Sequence, residues 1–455
     1  MKIYTTYAVK LKESHGFLRE TVIQYRRAVA FFLHAAMEEW ETLETVQAPL
    51  EKQRALEALT HRTRKNPNAK YDFDKHFHKF PSYLRRAAIT DAIGKITVYQ
   101  SRLLLWKEEQ ERIKKEGGKA KVPNPGRPTA GFSYPVMYRG NCYIRTGDYT
   151  ASLKIYNKNK TAWDWLDVEF KKTDADYILR HCAERKECAP TLRRRGKNWY
   201  LDFAFEEKVE LGEKPVAEQT AVGVDLGLHN DCACVVMKPD GTILGRRILS
   251  LSKEKDSLKH ALNRIKKAQQ HGAKRKPRLW ARAKGISGDL AKKTAQFIAD
   301  LAAEYQADVI VLPYLDLTGK KTGPRKQAVH HWKLRTIQRI ITDKAHRMGM
   351  KVRRTCPYQA SALAFDGSGK VKKKKGCRSI CIFPSGKEYH SDLSASYNLT
   401  ARYFIREIME TLPPALKTEM ETKIPDISKR TACTLSTLRE LNRELISSDG
   451  DTGAV

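Results

Sequence analysis

The chain has 455 residues, enough for about two to four domains, and 41% of them are hydrophobic, which suffices for extensive cores. Lysine and arginine total 85 against 52 acidic residues, and the resulting net charge of +33 far exceeds what solubility requires. This excess indicates a polyanionic partner, with nucleic acid the leading candidate. The chain lacks long apolar runs and an N-terminal signal segment, and its nine cysteines are odd in number. We therefore expect a reducing, cytoplasmic location, associated with the nucleoid, and no membrane partner.

The first half of the chain changes from a helical to a β pattern. Residues 1–10 alternate polar and apolar side chains, which predicts a strand. Apolar residues then recur in steps of three and four over 18–40 and 84–106, which predicts two amphipathic helices. The Gly- and Pro-rich stretch 117–128 marks a boundary, and short segments rich in Tyr, Trp, Val and Phe over 132–210 predict an all-β module. The N-terminal strand would join that module, so the helices would be an insertion.

Beyond Pro215 the pattern predicts an α/β domain. The expected elements, in chain order, are strands at 221–226, 231–237 and 242–248, a helix at 289–306, a strand at 307–312 and a helix at 331–348. A turn at Pro239, Asp240 and Gly241 joins the second and third strands into a hairpin.

Two aspartates in this domain are candidate metal ligands. Asp225 lies on the first strand, in the segment GVDLG, where the alternative is an aspartate that caps a turn. Asp392 opens the last helix, in HSDLSASYN, where an ordinary N-cap is the alternative. One acid on the first strand and one at the start of a late helix form the layout of the RNase H-like nucleases.

Five segments carry a family resemblance. They are GVDLGLHN (223–230), ADVIVLPYLDLTGKKTG (307–323), HHWKLRTIQ (330–338), SALAFDGSGKV (361–371) and HSDLSASYNLTARYFIREI (390–408). They resemble the RuvC motifs and the intervening insert of the transposon-encoded TnpB proteins and the compact type V CRISPR effectors. The resemblance is specific over 217–445 and looser before it. It implies a prokaryotic RNA-guided protein whose partners are a guide RNA, target double-stranded DNA and, in some systems, transposition or transcription proteins.

The resemblance also implies a multi-domain α+β architecture. A helical recognition lobe (13–117) would be inserted into a small β-barrel wedge module (1–12 plus 118–215), followed by an RNase H-like RuvC domain (216–356 plus 391–445). Residues 357–390 would form an insert, a degenerate zinc-knuckle or target-nucleic-acid-binding loop, and 446–455 a disordered tail.

The second RuvC-type motif departs from the family pattern. The family places a metal-binding glutamate at the end of the fourth strand, where this chain has Pro313. Asp225 and Asp392 would be the catalytic and magnesium-binding residues, but a two-metal site needs further carboxylates, and proline has no side-chain ligand. Asp316 stays open as a substitute, although relatives that keep the glutamate commonly have this aspartate too. The sequence therefore predicts that cleavage is lost or impaired.

The insert also departs from the zinc-binding pattern of relatives. Cys356, Cys377 and Cys381 are widely spaced and no fourth cysteine is near, although His390 could complete a set. We therefore expect a loop without zinc.

Basic clusters are the candidate nucleic-acid contacts. The segment 253–284 contains 12 lysines and arginines, and we expect it to neutralise the backbone of a guide–target heteroduplex. Its candidate residues are Arg264, Lys267, Lys274, Arg275, Arg278, Arg282 and Lys284. Further candidates are Arg193, Arg194 and Arg195 for guide RNA, and Arg85 and Arg86 for a DNA motif. The lysines at 372–375 are expected to form an exposed loop tip.

Two other functions stay open. The first is an active, magnesium-dependent RuvC endonuclease that makes double-strand cuts. The second is a DNA-binding transposition accessory or repressor that works without guide RNA.

Overall fold

The computed structural model describes residues 1–12, 15–64, 67–117, 122–228, 230–315 and 331–451. The chain divides into two compact units, Lys2–Glu207 and Lys208–Val455, the latter together with Met1. It is a mixed α+β, multi-domain protein, as predicted. None of the helices in the described ranges combines the length and apolarity needed to span a membrane.

In the described residues, five helices lie between the first and second strands of the N-terminal unit. They are α1 (Gly16–Glu38), α2 (Trp40–Thr45), α3 (Pro49–Thr60), α4 (Phe73–His76) and α5 (Ser82–Lys115). Helix α1 buries Leu18, Val22 and Tyr25, whose spacing places them on one face. Buried side chains of α5 end at Ile96, so the last five turns of this helix leave the core.

The strands of this unit form two sheets. The strands are β1 (Lys2–Lys10), β2 (Tyr143–Arg145), β3 (Thr150–Asn157), β4 (Ala162–Glu169), β5 (Lys186–Glu187), β6 (Thr191–Arg195) and β7 (Asn198–Lys208). One sheet has the order β1-β7-β5 with β6 also paired to β7, and the other has the order β2-β3-β4. In the described residues, an isolated bridge between Leu11, which follows β1, and Phe170, which follows β4, links the sheets in place of a continuous ladder. The predicted closed barrel is therefore not found.

The β-rich part of this unit also contains a helix that the all-β prediction missed. Helix α6 (Lys172–Cys182) buries Ala175, Ile178 and Cys182, which recur at helical spacing. One continuous hydrophobic core includes side chains of both the helices and the sheets, for example Phe32 and Phe203.

The second unit contains a five-stranded mixed sheet. Its strands are β8 (Ala221–Leu226), β9 (Cys232–Met237), β10 (Ile243–Leu249), β11 (Val309–Pro313) and β12 (Lys351–Thr355), in the order β10-β9-β8-β11-β12. Strands β8, β9 and β10 are antiparallel, whereas β11 runs parallel to both β8 and β12. Gly241 has a φ of +81° in the turn between β9 and β10, a conformation that favours glycine.

Helices cover both faces of this sheet. The helices of this unit in the described residues are α7 (Ser252–Gln270), which packs on α8, then α8 (Pro277–Glu304), α9 (Leu334–Arg347), α10 (Ser391–Thr411), α11 (Pro414–Lys423) and α12 (Leu435–Asp451). Helices α8 and α9 contribute Ile298 and Ile341 to the core on one face. Helices α10 and α12 contribute Phe404 and Leu438 to the core on the other.

The insert is an ordered antiparallel sheet of three strands. These are β13 (Lys372–Lys374), β14 (Cys377–Ile382) and β15 (Glu388–His390), in the order β13-β14-β15. Three of the lysines expected at a loop tip thus belong to a strand. Helix α12 continues to Asp451, so residues 446–451 of the expected disordered tail are helical.

Candidate functional site

Asp225 lies near the carboxyl end of β8, on the face of the sheet that α10 covers. Alternate side chains of a strand point to opposite faces, and Val222 and Val224 pack on the side of α8 and α9. Gly223 and Asp225 therefore point the other way. A Cβ at position 223 would lie 1.6 Å from Oγ1 of Thr400, so glycine allows α10 to pack directly on β8.

The structure brings the two predicted acids together. Asp392 lies in the first turn of α10, and Nδ2 of Asn230 donates a 2.9 Å hydrogen bond to its Oδ2. Burial, followed by the negative charge of Asp392, raises the pKa of Asp225 from 3.8 to about 7. A pair of carboxylates in electrostatic contact, one of them partly buried, favours a bound proton or a cation.

Position 313 lies at the end of β11, the strand that pairs with β8. The parallel register of β8 and β11 pairs Val311 with Gly223. Continued along both strands by two residues, this register brings Pro313 opposite Asp225 and on the same face. The carbonyl oxygen of Pro313 accepts a 3.1 Å hydrogen bond from Nε2 of Gln338, and its ring offers no ligand atom.

The residues at this site do not fit a two-metal centre. Such a centre needs carboxylates that bridge and flank both ions, and the described side chains supply only the pair Asp225 and Asp392. No group of three or more His, Cys, Asp or Glu in the described ranges could hold a metal ion. Asp316, the substitute left open by the sequence, lies outside the described residues.

Lys373 is a neighbour of the acid pair that sequence reasoning missed. Its Nζ donates a hydrogen bond to Oγ of Ser391, the first residue of α10. Its positive charge lowers the pKa of Asp225, against the stronger effects of burial and of Asp392. Lys373 is one of four consecutive lysines, and nothing in that run distinguishes it from the others.

The basic segment forms a helical hairpin whose candidate residues are all exposed. The set comprises Arg264 and Lys267 on α7, Lys274 and Arg275 in the connection, and Arg278, Arg282 and Lys284 on α8. Among the described residues no ion pair is formed by these seven side chains, in contrast to Lys293, which lies 2.7 Å from Glu254. They are therefore free to approach phosphates.

The three consecutive arginines of β6 are only partly available. Arg193 and Arg195 contact the buried carboxylate of Asp202, with N–O distances of 3.2 and 2.7 Å. Arg194 lies 5.8 Å from the ring centroid of Trp199 and has no carboxylate partner among the described residues. Arg194 is thus the member of this run with a free charge.

Arg85 and Arg86 also differ in how available their charges are to a ligand. Arg85 is buried, with only 6% of its surface exposed, and its Nη2 lies 2.9 Å from Oε1 of Glu57. A buried, paired arginine is not available to base edges, so the geometry does not support Arg85 as a base reader. Arg86 is exposed and makes a longer contact of 3.4 Å with the same glutamate.

The cysteines of the insert lie in different environments. Cys356 and Cys377 are exposed, whereas Cys381 is buried and its Sγ contacts the carbonyl oxygen of Tyr389 at 3.3 Å. Nδ1 of His390 is buried without a hydrogen-bond partner in the described structure. The absence of zinc stays a prediction.

Comparisons with known proteins give similarities in sequence and in fold. The Aq_aa04 family model matches residues 5–157. The TnpB-like protein aq_aa05 of Aquifex aeolicus is 26% identical over an alignment of 194 positions, and the match covers 37% of this chain and 61% of that protein. The match thus spans less than two thirds of the relative.

Solved structures with a similar arrangement share little sequence. A Cas12f1–sgRNA–target DNA complex has a TM-score of 0.44 at 13% identity, and the match covers 87% of this chain and 99% of the other. C2c1 of Alicyclobacillus acidoterrestris in complex with single-guide RNA has a TM-score of 0.42 at 9% identity, covering 85% and 69%. The sequence match to a TnpB-like protein confirms the resemblance that the motifs indicated.

Proposed function

We propose that this chain is an RNA-guided DNA-binding protein of the TnpB and compact type V kind, with a RuvC-like site whose cleavage is lost or impaired. The observation that carries the proposal is the pair Asp225 and Asp392 beside Pro313. Three antiparallel strands followed by two parallel ones, with α10 packed across β8, support an RNase H-like domain for this pair.

The partners we infer are a guide RNA and target double-stranded DNA. The hairpin of α7 and α8 offers seven exposed cations without ion-pair partners among the described residues, a density suited to phosphate backbones. Such contacts neutralise a guide–target heteroduplex and leave sequence recognition to base pairing. Arg86 and Arg194 are the exposed candidates for further contacts in the N-terminal unit.

The division of labour along the chain follows from this proposal. The helices of residues 13–117 would form a recognition lobe, and the strands of 1–12 and 118–215 a wedge module that holds guide RNA. We infer that the protein acts in the prokaryotic cytoplasm at the nucleoid, alone or with transposition or transcription proteins.

The test begins with the nucleic acid that copurifies with the protein. We expect a structured RNA, and we expect specific duplex binding to disappear after nuclease treatment and to return when the RNA is added back. Binding should weaken steeply with salt. If the treated protein still binds one specific duplex with undiminished affinity, it is a guide-independent DNA-binding protein.

Cleavage is tested on a matched plasmid with the reconstituted complex. We expect target binding without efficient double-strand cutting, and we expect Asp225→Ala to leave binding nearly unchanged. Rapid linearisation that is lost in Asp225→Ala would instead identify an active, magnesium-dependent endonuclease with another second acid.

A further inference from the structure

A basic cavity lies within the N-terminal unit, between α1 and the hairpin of β6 and β7. Its volume is about 380 Å³, which is within the range of small-ligand pockets. Helix α1 contributes Arg19, Val22, Ile23 and Arg26, whose steps of three and four place them on one helical face. One wall of the cavity is therefore an apolar strip with an arginine at each end.

The other wall comes from the hairpin and from the segment that precedes β2. Arg194 and Trp199 are cross-strand neighbours in the hairpin, and Gly196 in its turn has a φ of +61°. Tyr134 completes the lining. The described residues that line the cavity include three arginines and no acid, so the positive charge of the cavity is not neutralised from within.

Two of these arginines are fixed through Nε. Nε of Arg26 donates a 3.0 Å hydrogen bond to the carbonyl oxygen of Ser133, and the guanidinium group lies 4.9 Å from the ring centroid of Tyr134. Nε of Arg194 donates a 3.1 Å hydrogen bond to the carbonyl oxygen of Gly196. Within the described ranges, the Nη atoms of these two arginines make no ion pair or hydrogen bond. Each therefore presents a fixed fork of N–H groups, the geometry that binds two oxygens of a phosphate.

We propose that this cavity binds one nucleotide of a nucleic-acid strand: Arg19, Arg26 and Arg194 bind the phosphate, and the apolar lining receives the sugar and base. Contacts with an apolar lining do not read the edges of a base, so binding should depend on the phosphate and little on sequence. The inference deepens the proposed function and rests on it for the source of the strand. Nucleotide binding itself is tested without guide RNA or target DNA, so either proposal can fail while the other holds.

The first experiment measures binding of adenosine 5′-monophosphate (AMP) by equilibrium dialysis of the full chain, after nuclease and high-salt removal of bound nucleic acid. Arg26→Gln and Arg194→Gln should each weaken AMP binding by about tenfold, because each removes charge-assisted hydrogen bonds to the phosphate. Arg26→Lys keeps the charge without the fork and should also bind AMP more weakly than the unchanged protein.

Arg27→Gln is the matched control for these variants. Arg27 is the next residue of α1, is exposed and does not line the cavity; its Nη1 lies 3.4 Å from Oε1 of Gln24. This variant loses the same charge and should bind AMP like the unchanged protein. Equal AMP affinity in Arg26→Gln and the unchanged protein would overturn the proposal, as would an equal loss in Arg27→Gln.

A second measurement does not depend on the folding of any variant. Limited modification of arginines by phenylglyoxal, followed by mass spectrometry, should be several-fold slower at Arg26 and Arg194 when AMP is present. Adenosine, which lacks the phosphate, should give no such protection, and the rate at Arg27 should not change. Equal rates at Arg26 and Arg194 with and without AMP would show that the cavity does not bind a nucleotide.

The same modification assay identifies which phosphate of a strand is bound. A short single-stranded RNA is added with a 5′-phosphate or with a 5′-hydroxyl group. Protection of Arg26 and Arg194 by both RNAs would support binding of an internal phosphate, and protection by the phosphorylated RNA alone would support binding of a strand end. Protection by neither RNA would overturn the assignment of the cavity to a nucleic-acid strand.

Discussion

The carboxylate of Asp392 raises the pKa of Asp225, whose burial already disfavours the charged form. In the native state Asp225 keeps a proton up to about pH 7, whereas in the unfolded chain it ionises near pH 3.8. Between these values the native state binds more protons, so the contribution of Asp225 to stability falls as pH rises and is lost above about pH 7. The shift corresponds to about 4 kcal/mol at most.

We therefore predict that Asp225→Asn stabilises the protein at pH 8, by up to about 4 kcal/mol, and has little effect near pH 4. The measurement is urea unfolding across this range. Asp300→Asn, at an exposed aspartate of α8, is the control and should leave the pH profile unchanged. Parallel pH profiles for Asp225→Asn and the unchanged protein would contradict the assigned burial of this carboxylate.

Gly223 provides a prediction for the packing that holds the two acids together. Gly223→Ala places a Cβ 1.6 Å from Oγ1 of Thr400 and 3.1 Å from the carbonyl oxygen of Ser396, so α10 must move away from β8. We expect a loss of about 1–3 kcal/mol, the usual cost of overpacking, measured as a lower unfolding midpoint.

Gly285→Ala is the matched control for this substitution. Gly285 lies in α8, where an added Cβ meets no atom within 4 Å, so alanine should be neutral or stabilise by up to about 1 kcal/mol. Equal effects of the two substitutions would show that α10 does not pack against β8 as described.

The sequence predicts the acid pair because each acid lies in a motif with its own secondary structure. Asp225 lies on an apolar strand and Asp392 at a helix start, and both positions can be recognised without tertiary information. Lys373 could not be predicted, since its contact with Ser391 depends on how the insert folds back onto α10. The sequence of Arg85 and Arg86 likewise gives no sign that Arg85 is buried while Arg86, which contacts the same glutamate, is exposed.

Dependence on tertiary structure also explains why the closed barrel predicted for the N-terminal unit was wrong. Strand patterns such as that of β3 are visible from alternation, but whether a sheet closes depends on long-range pairing. Here the pairing between the two sheets is limited, in the described residues, to the isolated bridge between Leu11 and Phe170. Helix α6 was missed because its short apolar stripe lies between segments with strong β propensity.

The basic hairpin yields a prediction on salt dependence. Replacing Arg278 and Arg282 of α8 by Gln should weaken nucleic-acid binding for all sequences alike. The slope of log affinity against log salt should fall by about 1 for each phosphate that the variant no longer neutralises. Lys293→Gln, on the same helix, is the control because this lysine is already paired with Glu254. A sequence-dependent loss of affinity, or an unchanged slope, would contradict a backbone-binding role for the hairpin.

The last prediction concerns the third acid. Pro313 ends β11, where a residue with an N–H is compatible with the strand, and the continued register places its side chain beside Asp225. Pro313→Glu should therefore supply the missing carboxylate and produce some magnesium-dependent cleavage of a matched plasmid by the guide complex. Pro313→Gln, which has a similar shape without the charge, should remain inactive, and Asp225→Ala should abolish any gain. Cleavage by Pro313→Gln equal to that by Pro313→Glu would show that the carboxylate at this position is not what limits the site.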